Sequence, residues 1–460
     1  PWTIIEEAPR DRRPLQSEQP AMSRRDLVLM QNDAQKSTLA WLRPGMHVKR
    51  WLILLLIGIA LISLGLAYLL RFLYADLNFP HVFYYLTLQF LSRPLRAVIL
   101  GGLGIGLTMV ALIGLNRSLL RPFVAAGQEN VAERVYQHHR RRRGPKIVAL
   151  GGGTGLSTLL RGLKEVSDNI TAIVSVADDG GSSGRLREAT GILPPGDIRQ
   201  CLVALSEAEG LTGRLFQYRF SDEYGLSGHN FGNLFIAAMT DVTGSFEQGV
   251  IESSRVLAVR GRVIPSTLQQ VTLSADVRVD NGGNGHGWQR VVGESAIPAA
   301  HRQIERVFLE PENVPAYPEA VKAILQADLI VAGPGSLFTS VLPNLLVPSI
   351  ADAIHASSAT KIYVCNVATQ PGETTDFDVD AHVMALQRHV GDLFPFVLAN
   401  DHLIVNTGEN QHLEPVPLPQ KQPVTYTLLT ADVIDEKRPW RHDSAKLAKV
   451  IMDIHAEPAL

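Results

Sequence analysis

The apolar positions of the chain change their pattern near residue 146. Before it, two runs carry no charge: Trp51 to Leu70 (WLILLLIGIALISLGLAYLL) and Ala97 to Leu115 (AVILGGLGIGLTMVALIGL). Each approaches the roughly 20 residues that a helix needs to cross the hydrocarbon core of a bilayer. Glycines at 102 and 106 form a small-xxx-small pattern that lets two helices approach closely. After residue 146, short β-branched runs alternate with helical stretches. KIVAL (146–150), ITAIVSVA (170–177), ADLIVAG (327–333) and KIYVCNV (361–367) lack polar alternation, as expected of buried parallel strands. QVTLSADVRVD (270–280) and WQRVVGES (288–295) alternate with period two around NGGNGHG, which predicts an antiparallel hairpin beside the main sheet. The expected fold is therefore α/β: a Rossmann-like, doubly wound, mainly parallel sheet with an added hairpin, preceded by a two-helix transmembrane hairpin over 51–116.

Basic residues give the hairpin an orientation. Arg43, Lys49 and Arg50 precede the first span, Arg117, Arg121, Arg134 and RRRR (140–143) follow the second, and Arg71, Arg93 and Arg96 lie between. The positive-inside bias puts both ends in the cytoplasm and makes 71–96, rich in Phe and Tyr, the outer connection. A flexible cytoplasmic tail is expected over 1–50, and a basic linker helix over 117–145. That linker either docks on anionic lipid or is a solvated positive-inside segment. Gly144-Pro145 marks the start of the soluble body, 146–460.

In a doubly wound sheet, ligands sit beyond the carboxyl ends of the strands, where this chain places its glycine-rich segments. Gly152, Gly153, Thr154 and Gly155 (GGGTG, 151–155) follow the first strand and open a helix, an arrangement suited to a phosphate. The dinucleotide fingerprint is broken, since its third position is Leu156, and no lysine completes a P-loop. Asp178 and Asp179 follow the second strand, placed for a ribose or for a divalent cation. Gly180, Gly181, Ser182, Ser183 and Arg185 extend them as a further anion cradle. Asp197 either caps the next helix or contacts ligand. Arg199 lies in that helix's first turn, where the dipole disfavours a cation and a nearby anion would offset it. In GHNFGN (228–233), Asn230 and Asn233 can read a base or sugar, while His229 alone is ambiguous. Gly335 and Ser336 close the set in a second strand-to-helix turn.

Composition narrows the classes. Hydrophobic residues are 46% of the 460, charged ones 19%, and the net charge of -2 gives no reason to expect nucleic acid. The two cysteines, Cys201 and Cys365, exclude a disulfide scaffold and a cysteine-based zinc site.

In order along residues 146 to about 385, GGGTGLSTLLRGLK, ADDGGSSGRLR, LPPGDIRQCL, GHNFGNLFIAA, VFLEP, ADLIVAGPGSLFTSVLPNLL and NVATQPGETTDF resemble the YvcK-like gluconeogenesis-factor family. More distant relatives are the CofD-like 2-phospho-lactate transferases. The resemblance implies a nucleotide site at the strand ends formed by the positions named above. It also implies binding of UDP-sugars or of dinucleotides, a role in cell shape and envelope synthesis during gluconeogenic growth, and no required cofactor. For the transferase relatives it implies transfer of a phospho-lactyl group from a guanosine diphospho-lactate to a deazaflavin, with a divalent metal, here Mg²⁺ on Asp178 and Asp179. The favoured reading is a UDP-sugar-binding regulator tethered to the inner membrane, with a homo-oligomer and an envelope-synthesis protein as expected partners. A transferase is the alternative; an NAD(P)-dependent oxidoreductase ranks below both. No physical role for TQPGET (369–374) follows from its chemistry.

Overall fold

The computed structural model describes residues 90–120, 140–207, 210–221, 226–280, 286–402 and 413–456, with 57–67 and Ile53, Leu69, Tyr84, Tyr85 and Leu88. The chain divides into two units, Pro1–His139 and Arg140–Leu460.

In the first unit, helix α1 (Arg93–Leu120) contains the second predicted span and begins ahead of it, taking in Arg93 and Arg96. Its stretch Arg93–Val110 has a mean hydropathy of 1.3 and buries none of itself against protein. By length and composition α1 is able to cross a membrane. The described helix within the first predicted span, Ile57–Ala67, is shorter than a crossing requires, so the two-helix hairpin is not established. The expected tail (1–50) and most of the linker helix (121–139) lie outside the described residues. The body starts earlier than Gly144-Pro145 suggested. Arg141 already reaches Glu165 at 3.6 Å and Asp168 at 3.7 Å, and its carbonyl accepts the Asp168 amide.

The second unit is built on a seven-stranded sheet. Its strands are β1 (Ile147–Gly151), β2 (Ile170–Val174), β3 (Arg262–Pro265), β7 (Leu329–Ala332), β8 (Thr360–Val364), β9 (Phe396–Asn400) and β10 (Thr427–Ala431). The order is β10-β9-β8-β7-β1-β2-β3, with every neighbouring pair parallel. The chain runs outward from β1 through β2 to β3, then returns to the other side of β1 and runs outward again from β7 to β10. The reversal between β1 and β7 is the topological switch point of a doubly wound sheet. The predicted run 170–177 forms strand only to Val174, because its partners β1 and β3 end at Gly151 and Pro265, opposite that residue.

The predicted hairpin belongs to a separate antiparallel sheet, order β5-β4-β6: β4 (Thr272–Asp280), β5 (His286–Val292) and β6 (Ile304–Glu310). Residues 281–285 of its turn lie outside the described residues. Leu273, Ala275 and Val277 of β4 are fully buried, so alternate residues face the core.

Helices cover the sheet. After β1 comes α2 (Gly153–Leu163), whose Leu156, Leu159, Leu160 and Leu163 are fully buried. Each such side chain contributes about 1.5–3 kcal/mol of burial free energy. The i, i+3, i+4, i+7 spacing of those leucines fixes which side of α2 faces the sheet, and so which way its first turn points. Next come α3 (Gly181–Thr190), α4 (Gly196–Leu205) and α5 (Phe231–Thr243). The final helix, α6 (Ser444–Ala456), follows a small hairpin of β11 (Ile434–Asp435) and β12 (Arg438–His442) and packs on α2. A Cβ at Gly162 would collide with the Ser444 carbonyl, so α2 needs glycine where α6 begins.

Candidate functional site

Strands β1 and β7 end side by side, and each runs into a glycine turn. Gly153 and Gly333 hold φ of +58° and +79°, conformations open to glycine at little cost. The turns touch. A Cβ on Gly155 would stand 2.7 Å from the Gly335 Cα, and one on Gly152 would collide with the Asp197 carboxylate. Between them opens a cavity of about 650 Å³, within the range of a small-molecule site. Predicted residues Gly152, Gly153, Thr154 and Gly155 form one side of it, Gly335 and Ser336 another, and Asp178 and Asp197 also face it.

The cavity is lined by acids, and burial raises each of them. Burial, then the neighbouring Asp178 charge, pushes Asp197 up to about 7, against a hydrogen bond from the Gly153 amide. Burial also raises Asp178, although it accepts the Gly180 amide at 2.9 Å. Glu294, just beyond β5, is pushed to about 8 by burial and then by Asp178, Asp197 and Asp179. Neutral carboxyls of this kind donate hydrogen bonds and lessen repulsion of an incoming anion.

The β7 turn is held by the segment after β8. The Gly335 amide donates to Asn366 at 3.1 Å, Asn366 returns a bond to the Gly335 carbonyl at 2.9 Å, and Gln370 donates to the Ser336 hydroxyl at 2.8 Å. Glu373, itself raised by burial, accepts the Phe338 amide and the Thr339 hydroxyl at 3.3 and 3.0 Å. TQPGET thus has a role that its composition did not disclose: it fixes the second glycine turn.

The remaining predicted residues are distributed differently. Asp179 faces away from the cavity and accepts the Glu294 and Ser295 amides, both at 2.9 Å, and the Ser295 hydroxyl. Both its oxygens therefore already accept hydrogen bonds. Among the described residues, no group of three or more His, Cys, Asp or Glu is placed to hold a metal.

Gly180 caps α3 and Gly181 opens it at φ +48°. Ser182 lies 3.3 Å from the His229 ring and accepts the Asn230 amide at 3.2 Å. Asn230 caps α5 by accepting the Gly232 and Asn233 amides. Asn233 donates to Ser183 at 3.4 Å and accepts from Arg199 Nε at 2.8 Å. Arg185 is exposed, and its charge, after burial, holds His229 below the usual imidazole range. These residues form a polar seam joining α3, α4 and α5. Arg199 and Asn230 line a second cavity that adjoins the first.

Residues missed in the sequence are Glu294, Asn366, Gln370 and Glu373, together with Trp440, Arg441 and His442 of β12, all on the first cavity. The RHD run at 441–443 was the available signal.

Comparison with known proteins agrees with this geometry. The family pattern described as 2-phospho-L-lactate transferase CofD matches residues 147–459. The Gluconeogenesis factor of Bacillus subtilis is 46% identical over 322 residues, covering 68% of this chain and 99% of its own. A relative in Nostoc sp. is 46% identical over 438 residues, 90% of this chain and 91% of its own, so its match reaches well into the first unit. The crystal structure of a member of the UPF0052 family from Bacillus halodurans superposes with a TM-score of 0.62 at 44% identity, over 67% of this chain and 99% of that one. The chain therefore belongs to the family of the 2-phospho-L-lactate transferase CofD, and its homologues at 41–46% identity include the gluconeogenesis factors.

Proposed function

We propose that this protein is a membrane-anchored nucleotide sensor that takes a UDP-sugar in the switch-point cavity and serves gluconeogenic growth through cell shape and envelope synthesis. The observation that carries the reading is the meeting of the β1 and β7 turns. Two glycine turns bound one polar cavity at the place where doubly wound sheets receive nucleotides. Relatives that bear the name gluconeogenesis factor support the physiological part. Anchoring is supported by α1, whose apolar side chains are exposed between Leu95 and Val110, and the flanking arginines favour a cytoplasmic body at the inner membrane. A homo-oligomer and an envelope-synthesis protein complete the proposed assembly.

Calorimetric titration of the full chain with UDP-N-acetylglucosamine, NADP and GDP, with and without Mg²⁺, tests this. Saturable UDP-sugar binding without turnover is expected; failure to bind it would overturn the reading.

One observation favours the transferase as a second reading. Asp197 and Glu294 hold protons near neutral pH at the cavity wall, as a general acid requires. Its expected Asp178–Asp179 metal pair does not fit the geometry, since Asp179 is bound to amides. Turnover of a guanosine diphospho-lactate that falls in Asp197→Asn would move the assignment to transfer.

A further inference from the structure

A second cavity of about 740 Å³ adjoins the first and shares Thr154, Thr158 and Gln200 with it. Five arginines line it: Arg161 of α2, Arg199 of α4, Arg219, and Arg438 and Arg441 of β12. Its own carboxylates are already engaged. Asp435 pairs with Arg438 at 3.0 Å, and Asp443 caps α6 by accepting the Ala445 and Lys446 amides. Among the described residues, no carboxylate lies within ion-pair distance of Arg161, Arg199, Arg219 or Arg441. Burial, then the nearby Arg219 charge, depresses Arg199 below the ordinary guanidinium range. Like charges gathered beside a partly desolvated wall repel, and a bound anion reverses that cost. Guanidinium forks match the oxygens of a phosphate.

The second observation is His442, which lines both cavities. It is 8% exposed, and its Nε2 has no hydrogen-bond partner. Burial lowers the ring to about 4, against a backbone hydrogen bond at Cys365 that favours the charged form. The ring is neutral at pH 7, and the N–H that the Cys365 backbone accepts leaves the unpartnered Nε2 as an acceptor. A buried acceptor in a polar cavity needs a donor, and a ligand hydroxyl supplies one.

We propose that the arginine chamber is a second ligand site, which takes a small hydroxylated phosphate ester while the first cavity is independently filled. The guanidinium groups hold the phosphate, and His442 Nε2 accepts from a hydroxyl. Arg161, Arg199, Arg219 and Arg438 line the chamber and not the first cavity, whereas Arg441 and His442 line both.

The test is calorimetry on the full chain with glucose 6-phosphate, inorganic phosphate and glucose as probes, repeated at saturating UDP-N-acetylglucosamine. Glucose 6-phosphate is expected to bind, inorganic phosphate more weakly, and glucose not at all. Arg161→Ala and Arg219→Ala should each weaken the ester about tenfold, with unchanged melting temperature. His442→Phe should erase the preference for ester over inorganic phosphate; should that buried variant fail to fold, the arginine variants still decide. No ester binding at millimolar concentration, binding indifferent to both arginines, or displacement by the UDP-sugar would each overturn the proposal. Arginine-dependent ester binding in a chain that ignores the UDP-sugar would sustain this site and remove the reading of the first cavity.

Discussion

A side chain on Gly155, in the first turn of α2, would stand 2.7 Å from the Cα of Gly335, in the turn after β7. The turns after β1 and β7 are thus in backbone contact across the switch point. Gly155→Ala is expected to cost about 1–3 kcal/mol of stability, as overpacking does. It should also weaken UDP-N-acetylglucosamine binding more than stability alone explains. Thermal melting beside calorimetry separates the two, and normal binding in the variant would mean that the turns part readily.

Stability should fall as the pH rises through the window set by the cavity acids. Asp197 moves from 3.8 to about 7 on folding and Glu294 from 4.5 to about 8. Between about pH 4 and 8 the folded chain therefore holds protons that the unfolded chain releases. The contribution of these two carboxyls to the unfolding free energy declines over that range, by at most about 1.4 kcal/mol per pH unit for each group, while His442, depressed to about 4, contributes the opposite slope below about pH 6.5. Urea denaturation across pH should show the decline, and Asp197→Asn should flatten it.

Anion binding should follow the same protons. A diphosphate entering the first cavity meets neutral carboxyls below about pH 7 and charged ones above. UDP-sugar affinity is expected to drop as the pH rises from 6 to 9, with proton uptake on binding that buffers of different ionisation enthalpy reveal. Asp197→Asn should bind with a flatter profile.

The adjacent aspartates should behave unlike each other. Asp179 holds the Glu294 and Ser295 amides, so Asp179→Ala should cost about 1–3 kcal/mol by leaving them unpaired. Asp178 faces the cavity with a raised pKa, so Asp178→Asn should alter ligand affinity more than melting temperature. Equal effects of both on binding alone would contradict this division.

Glu373→Ala is expected to destabilise by a similar amount, because the Phe338 amide and Thr339 hydroxyl lose their acceptor. Glu373→Gln retains an acceptor and should lie closer to the native chain in a melting experiment.

What could be read beforehand was what repeats locally. Strands β1, β2, β7 and β8 announce themselves as unbroken branched runs, and the β4–β5 hairpin as a period-two pattern around glycines. Strand β3 is four residues ending in proline, and β10 has no fully buried residue, so neither stands out from a loop. The glycine turns were legible because their conformations demand particular residues. Glu294 and Glu373 were not, since a single glutamate carries no local mark and becomes part of a cavity only when β5 and the segment after β8 converge. The different setting of Asp179 was hidden for the same reason. Two adjacent acids in the sequence share a strand end, yet here their side chains diverge, one to the cavity and one to the amides beside β5.

The packing of α6 and β12 against α2 sets an order of events during synthesis. A ribosome makes the Gly152–Gly155 turn early in the body and Arg438 to Ser444 near its close. Until those residues emerge, the nascent α2 has nothing against Gly162, and both cavities lack the wall that carries Arg441 and His442. Under the proposed function, ligand capture is thereby deferred until translation has passed the second half of the sheet, and a product stopped before residue 438 is expected not to bind.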